Sequence, residues 1–478
     1  MTKADLISQI EDLEEQSSVL EPSEGERAAL TRHVTGFAAS FINRLSSTNA
    51  FQSKILQSVA ITGNPSPLTD ILELYNSEVV GTGINAASGG HLGYIPGGGI
   101  YAGALADYLA AVTNPFAGAY FAAPGAAAIE NEVVHWLKEL FSFPETATGC
   151  LSSGGSISTL IALTAARDKH GIKGTHVYSA VVYLSSHVHH SVQKALRIIG
   201  LEDVVLRSIP TDTRHRMDAQ VLADQVIADE QSGLHPFLVV GTAGTTDTGA
   251  VDPLEALADI AEKHGLWFHV DAAYGGFFIL TDKKHLFRGI ERADSLIVDP
   301  HKGLFLPYGV GAVLVKDRHA VLQSHFYTAN YMQDAADEEL ALSPANLSPE
   351  LTRHFRGLRV WLPLQLYGTK PFAACLAEKL LLVNYFRLGV QELGFEVGPD
   401  PDLSVSYFYY PFSGDSNHLN RLLLEQLHAD GEVFFSSSQV DSRFVIRIAI
   451  LSFRTNRSTV DAALAMIERC LQRVRANA

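Results

Sequence analysis

A lysine just past an apolar run, a carboxylate at the end of another, a histidine cluster and a Ser/Gly loop are the residues of this sequence that could do chemistry. In Asp299-Pro300-His301-Lys302-Gly303, Lys302 is followed by Leu304, Phe305 and Leu306. Packing among them would disfavour the ammonium, lower its pKa and free an amine able to condense with a carbonyl. The plain alternative is a lysine reaching out to solvent. In LWFHVDAAYGGFF (266–278), Asp271 ends a run that reads as a strand buried on both faces. A carboxylate there is costly unless a cation or hydrogen-bond donors meet it. In Leu151-Ser152-Ser153-Gly154-Gly155-Ser156 the loop runs straight into a helical pattern. Close backbone approach, unpaired N–H groups and hydroxyls would suit a phosphate, although such a loop alone is more often only a capped turn. Three histidines crowd Ser185-Ser186-His187-Val188-His189-His190-Ser191, with no acidic or cysteine partner at metal-ligand spacing. No metal is expected; an imidazole at a strand end would instead stack on a planar ligand or carry a proton, against the ordinary alternative of a polar loop residue.

The elements that must position these groups are legible as an α/β pattern. Helices are expected over 127–141 and after Ser156, and strands over 177–184, 203–206, 237–240, 266–270, 295–298 and 311–315. That alternation predicts a mainly parallel sheet covered by helices. In the crossover 251–265, Asp252 reads as an N-cap and Pro253 as the first helical residue. Leu254, Leu257, Ala258 and Ala261 form the apolar stripe, and Gly265 is the stop. A long helix from about Pro371 leads to a smaller unit with strands over 404–410, 432–435 and 444–450 and helices over 416–429 and 458–475. The first 80 or so residues look helical, strandless and unable to stand without docking. Residues 1–85 are thus an arm for dimer docking, 86–370 a large domain and 371–478 a small one.

In an open α/β sheet, ligands bind beyond the carboxyl ends of the strands, where the Ser/Gly loop, the histidines, Gly244-Thr245-Thr246, Asp271 and Lys302 all fall. A phosphate cup, a ring stacker, a buried carboxylate and an activated lysine describe a site for pyridoxal 5'-phosphate. Asp271 would then meet the protonated pyridine nitrogen.

Composition agrees with small-molecule chemistry. A net charge of -16 over 478 residues, with dispersed Lys and Arg, argues against nucleic-acid or anionic membrane partners. Three separated cysteines, Cys150, Cys375 and Cys470, fit no disulfide framework and suit a reducing, cytoplasmic compartment. The N-terminus has no signal-peptide apolar core, and the Ala/Gly-rich stretch 97–128 is broken by Asp107, Asn114, Pro115 and Pro124, so it reads as packed helix and loop.

HHSVQKA (189–195), GTAGTT (241–246), HVDAAYGG (269–276), DPHKG (299–303) and LTRHFRGLRVWLPLQLYG (351–368) together resemble the pyridoxal-phosphate-dependent group II amino-acid decarboxylases. The likeness runs from about residue 90 to the C-terminus and is nearest the aromatic amino-acid and tryptophan decarboxylase branch. It implies fold type I and an obligate homodimer with the active site at the interface. It assigns the covalent cofactor link to Lys302, the pyridine partner to Asp271 and the ring stacker to His189. Gly154, Gly155 and Ser156 would hold the phosphate, while Thr246, Ala273 and His301 line the cofactor. HLGYIPGGG (91–99) stands at the substrate-pocket segment, with Tyr94 and Pro96 as its candidates. NYMQDA (330–335) resembles the family's loop segment, which makes Tyr331 the catalytic proton donor, with His189 able to relay. Gly303 departs from the tryptophan of many relatives. Arg447 is read as packing, since a decarboxylase gains little by stabilising the group it must expel.

The expected activity is decarboxylation of an L-amino acid, with an aromatic side chain, to the amine and carbon dioxide. The alternatives are oxidative decarboxylation-deamination to an aldehyde, carbon–carbon lyase chemistry on the same cofactor, and a non-enzymatic scaffold. Tyr331 weighs against the aldehyde, and no second basic cluster favours a phosphorylated lyase substrate.

Overall fold

The computed structural model describes residues 1–54, 59–61, 63–326 and 343–477. Two helices without a buried residue open the chain, α1 (Lys3–Ser17) and α2 (Glu24–Arg44). Each starts in a capping box, Thr2 with Asp5 and Ser23 with Glu26, so the ends are held locally. Their apolar residues are not: Leu6, Ile10, Leu13, Leu30 and Val34 stay exposed. The expectation of a strandless start is corrected by β1 (Phe51–Gln52), which pairs with β2 (Gly83–Ile84) across α3 (Leu68–Leu74). Two helices follow, α4 (Tyr101–Thr113) and α5 (Pro124–Leu140). Among the described residues no helix is long and apolar enough to cross a membrane.

The alternation then begins: β3 (Thr148–Ser152), α6 (Gly155–Lys169), β4 (Ala180–Ser185), α7 (Ser191–Ile198), β5 (Val205–Ile209), α8 (Ala219–Gln231), β6 (His235–Thr242), α9 (Leu254–His264), β7 (Trp267–Asp271), β8 (Ser295–Val298), α10 (Pro300–Gly303) and β9 (Gly311–Val315). The seven strands lie in the order β3-β9-β8-β7-β6-β4-β5. Only β9 runs against its neighbours, β3 and β8, so the carboxyl ends of β3, β4, β6, β7 and β8 share one edge. The mainly parallel α/β fold is as the sequence predicts. Every residue of β7 is buried, as a central strand covered on both faces requires.

Four local expectations are corrected. β3 was not foreseen, and Val177 belongs to a 3-10 turn (Gly174–Tyr178) instead of a strand. The strand expected over 203–206 runs Val205–Ile209. Asp252 does not cap α9; its buried carboxylate accepts the N–H groups of Met217 (2.7 Å) and Thr242 (2.8 Å), and burial raises its pKa to about 6. The stop at Gly265 is correct, with φ at 68°.

The rest comprises α11 (Arg318–His325), α12 (Arg356–Tyr367), α13 (Lys370–Glu392), β10 (Glu396–Val397), β11 (Val405–Tyr409), α14 (Ser416–Asp430), β12 (Ser436–Val440), β13 (Arg443–Ala449) and α15 (Arg457–Asn477). The second sheet has the order β10-β11-β13-β12, antiparallel throughout. Residues 432–435 are not the strand expected. Phe434 instead exchanges backbone hydrogen bonds with Gly90 and Leu92, and the pairing with β13 falls to the more polar Ser436–Val440.

Candidate active site

The last residues of β6 and β7 and the third residue of β8 lie side by side: Thr242 pairs in register with Asp271, and Asp271 with Ile297. All three line a cavity of about 280 Å³ at the shared carboxyl edge, together with Gly154, Gly155, Ser156, His189, Thr246, Ala273, His301 and Lys302. The structure thus brings together every predicted cofactor residue. Tyr94 and Pro96 do not line this cavity in the single chain. Tyr94 is 58% exposed, packed by its ring on Phe434, and Pro96 is buried elsewhere. Tyr331 lies outside the described residues.

Each side chain is placed by its element. Asp271 closes β7, and its Oδ1 accepts the Ala273 N–H at 3.0 Å; no other hydrogen bond reaches this carboxylate among the described residues. Lys302 sits on α10, one turn after Asp299, and its ammonium lies 3.2 Å from Asp299 Oδ2. The apolar setting expected for Lys302 is therefore replaced by a carboxylate, although Leu304, Phe305 and Leu306 are themselves buried. His301 directs Nδ1 to the Val310 carbonyl, and burial lowers its pKa. His189 Nδ1 lies 2.8 Å from Ser191 Oγ and accepts the Ser191 N–H at 3.3 Å. Burial lowers its pKa also and disfavours the imidazolium.

The candidate phosphate cup is built from backbone. Gly154 has φ 150° and ψ 176°, a conformation open essentially to glycine alone. A Cβ at Gly155 would stand 3.0 Å from Asp299 Oδ2 and 3.4 Å from the Ala273 Cβ. With no side chain at Gly154 or Gly155, the N-terminal end of α6 lines the cavity with the partial positive charge of a 15-residue helix. Thr242 Oγ1 and Asp299 Oδ1 are buried without partners among the described residues. Free amides, a hydroxyl, a carboxylate and an amine arranged around one cavity fit pyridoxal 5'-phosphate: donors for the phosphate, an acid for the ring nitrogen and an amine for the aldehyde.

Sequence reasoning missed Thr242 and gave Asp299 no task. Thr242 is visible only once the strand register sets it beside Asp271. The signal for Asp299 was its place between an apolar strand and Lys302. The departure at Gly303 has a packing cause: a Cβ there would stand 2.8 Å from the Phe277 Cβ, so Phe277 takes the space. Arg447 is packing, as expected, and ties three segments together. It donates to the carbonyls of Thr246 (2.7 Å) and Tyr94 (2.8 Å) and to Ser436 Oγ (2.9 Å), and burial brings its pKa down to about 10.

A cavity of this make-up at this edge of an α/β sheet defines a pyridoxal-phosphate enzyme. The model of the pyridoxal-dependent decarboxylase conserved domain matches residues 52–409. An aromatic-L-amino-acid decarboxylase of Bacillus atrophaeus is 32% identical over 431 residues, covering 88% of this chain and 89% of its own. A phenylacetaldehyde synthase of Arabidopsis thaliana is 28% identical over 422 residues, 85% of this chain and 86% of its own. The crystal structure of Catharanthus roseus tryptophan decarboxylase in complex with L-tryptophan superposes with a TM-score of 0.87 at 24% identity, over 95% of this chain and 99% of that one. The chain belongs to the pyridoxal-dependent decarboxylase family.

Proposed function

We propose that the protein removes the α-carboxylate of an aromatic L-amino acid, releasing the amine and carbon dioxide. The observation that carries this is the pairing, across one cavity, of a buried carboxylate at a strand end with a lysine beyond the next strand. The aromatic preference is supported by relatives named for aromatic amino-acid, tyrosine and tryptophan decarboxylation. Bound pyridoxal 5'-phosphate supplies an aldehyde for the substrate amine and a cationic ring that accepts the electron pair left when carbon dioxide departs. Asp271 would keep a proton on the ring nitrogen, which a neutral side chain would not. Lys302 would hold the cofactor through Nζ, the amine that the cavity offers to its aldehyde. His189, which lines the same cavity, would stack on the ring, and its burial disfavours a second positive charge there. The backbone of Gly154, Gly155 and Ser156 anchors the phosphate, with Thr246, Ala273 and His301 closing the sides. Tyr331 delivers a proton to the substrate Cα after the carboxylate has gone.

Residues 1–85 act as a docking arm in a homodimer, with 86–370 and 371–478 as the large and small domains. Support comes from apolar surface left open on one chain: Leu6, Ile10 and Leu13 on α1, and Tyr101, Leu105, Tyr108 and Val112 on α4. Free cysteines at Cys150, Cys375 and Cys470 support a cytoplasmic setting.

The aldehyde-forming reading has support in the phenylacetaldehyde synthases among the relatives. A screen of aromatic amino acids for amine, carbon dioxide, ammonia and peroxide separates the two. Amine and carbon dioxide in equal amounts are expected, and stoichiometric peroxide and ammonia would favour the aldehyde. In Tyr331→Phe, amine formation should fall more than carbon dioxide release, with aldehyde and peroxide appearing. An unchanged amine yield would remove Tyr331 from the proton transfer.

A further inference from the structure

The phosphate cup hangs from an edge strand. β3 is the outermost strand of the large sheet, paired among the described residues only with β9, and Leu151 pairs in register with Ala312. Leu151 is the residue immediately before the cup, and its outer backbone groups face two side chains. Its N–H donates to Glu130 Oε1 at 2.9 Å, and its carbonyl accepts from Arg353 Nη2. Glu130 comes from α5 and Arg353 from the segment before α12, and the two form an ion pair at 3.0 Å. Neither side chain is more than 2% exposed.

From Leu151 the contacts run directly into the cup. Ser152 Oγ accepts the Gly154 N–H at 3.1 Å and bonds Ser158 Oγ at 2.7 Å, which fixes the first turn of α6 on β3. Gly311 continues the connection on the other side, since a Cβ there would stand 2.6 Å from the Gly154 Cα. A shift of β3 along β9 would therefore carry the amides of Gly155 and Ser156 with it.

Stability is a poor reason for this pair. Buried ion pairs are often matched by apolar residues of similar volume. This one also leaves Glu130 Oε2, Arg353 Nε and Arg353 Nη1 without partners among the described residues. What the pair does accomplish is to hold one residue at both its amide and its carbonyl. A single apolar replacement could not do so.

We propose that Glu130 and Arg353 are positioning residues for the cofactor's phosphate: they clamp Leu151 and thereby set the amides of Gly155 and Ser156 at phosphate distance. Neither touches the cavity. The inference rests on the reading of residues 154–156 as the phosphate cup, and its test separates the two. The full-length chain, stripped of cofactor, is titrated with pyridoxal 5'-phosphate and with pyridoxal, which lacks the phosphate, and binding is followed by visible absorbance.

In Arg353→Lys the affinity for pyridoxal 5'-phosphate should fall by about tenfold or more, the effect of one weakened charge-assisted contact, while pyridoxal binding stays within about twofold. Glu130→Gln keeps an acceptor for the Leu151 N–H and should lose less; it carries the test if Arg353→Lys does not fold. Equal losses for both ligands would overturn the proposal, because a general support of the fold does not distinguish them. So would no loss for either. Gly155→Ala tests the cup itself: selective loss there without loss in Arg353→Lys overturns the positioning role alone. No preference for the phosphorylated ligand in the unaltered chain removes the cup and this inference with it.

Discussion

Two cavities open at opposite ends of the large sheet, and the larger is the less equipped for chemistry. At the amino ends of β7 and β8 a space of about 580 Å³ is lined by Lys169, Arg292, Asp294, Lys316 and Asp317 among others. Its charges largely satisfy one another. Lys169 meets Asp317 at 2.7 Å, Arg292 meets Asp259 at 2.6 Å and Glu262 at 2.5 Å, and Asp294 accepts the Phe268 N–H at 2.8 Å. The cavity at the carboxyl ends has about half that volume but keeps Thr242 Oγ1 and Asp299 Oδ1 without partners. Strand direction explains the difference. At the carboxyl edge helices begin, with free N–H groups and positive dipole ends; at the amino edge they finish, and residues such as Lys263 and His264 in the last turn of α9 suit the negative end. A ligand site is marked by polar groups left unsatisfied, and volume alone is a poor guide.

Substitutions at the two ends sharpen or break this contrast. Lys302→Ala should lower turnover by roughly 10⁴-fold or more, as removal of a covalent participant does, while the chain still folds. Retained turnover in a steady-state assay would end the assignment. Asp271→Asn should cost about 10²–10³-fold in kcat with the fold intact, because an amide cannot keep the ring nitrogen protonated. Were Asp271 only a turn residue, Asn would serve as well and turnover would be near normal.

Between the two ends, on β7 itself, His269 is buried with Nδ1 at 2.8 Å from Ser295 Oγ and Nε2 without a partner among the described residues. Burial brings its pKa to about 4, below the 6.5 of a free imidazole. The unfolded chain then takes up the proton first. Stability from the neutral ring is complete above pH 6.5 and is lost as the pH falls toward 4, by at most about 3 kcal/mol. Denaturant titrations across that range should show a shallower acid slope in His269→Asn. An unchanged slope would mean the ring is not held neutral.

The smallest effects belong to the amino end. Lys169→Ala and Arg292→Ala remove partly exposed ion pairs and should change stability by less than about 1 kcal/mol and turnover by less than about twofold. A tenfold loss of turnover in either would break the contrast between the ends.

What the sequence made legible follows the same physics. Asp271 and Lys302 were readable because a charged group beside a strongly apolar run has few structural reasons to be there. The helix 254–264 was readable from its stripe and from Gly265. β3 was not, because Thr-Gly-Cys-Leu-Ser lacks the β-branched run of a central strand and is held by its pairing with β9. Residues 432–435 carry the stronger strand pattern, yet docking on Gly90 and Leu92 claims them, and the polar Ser436–Val440 becomes the edge strand. Asp252 looked like a cap from its position before Pro253, whereas its partners, Met217 and Thr242, come from remote segments. Glu130 and Arg353 meet only after all the strands of the large sheet have intervened, which no local pattern reveals.

The central claim is that one lysine, placed by α10 beyond β8, carries the cofactor. Borohydride reduction of the holoenzyme, followed by proteolysis and mass mapping, fixes the cofactor to whichever lysine holds it. The predicted result is a single phosphopyridoxyl label on Lys302, lost in Lys302→Ala. A label on any other lysine, or none on a chain that retains activity, would contradict the account.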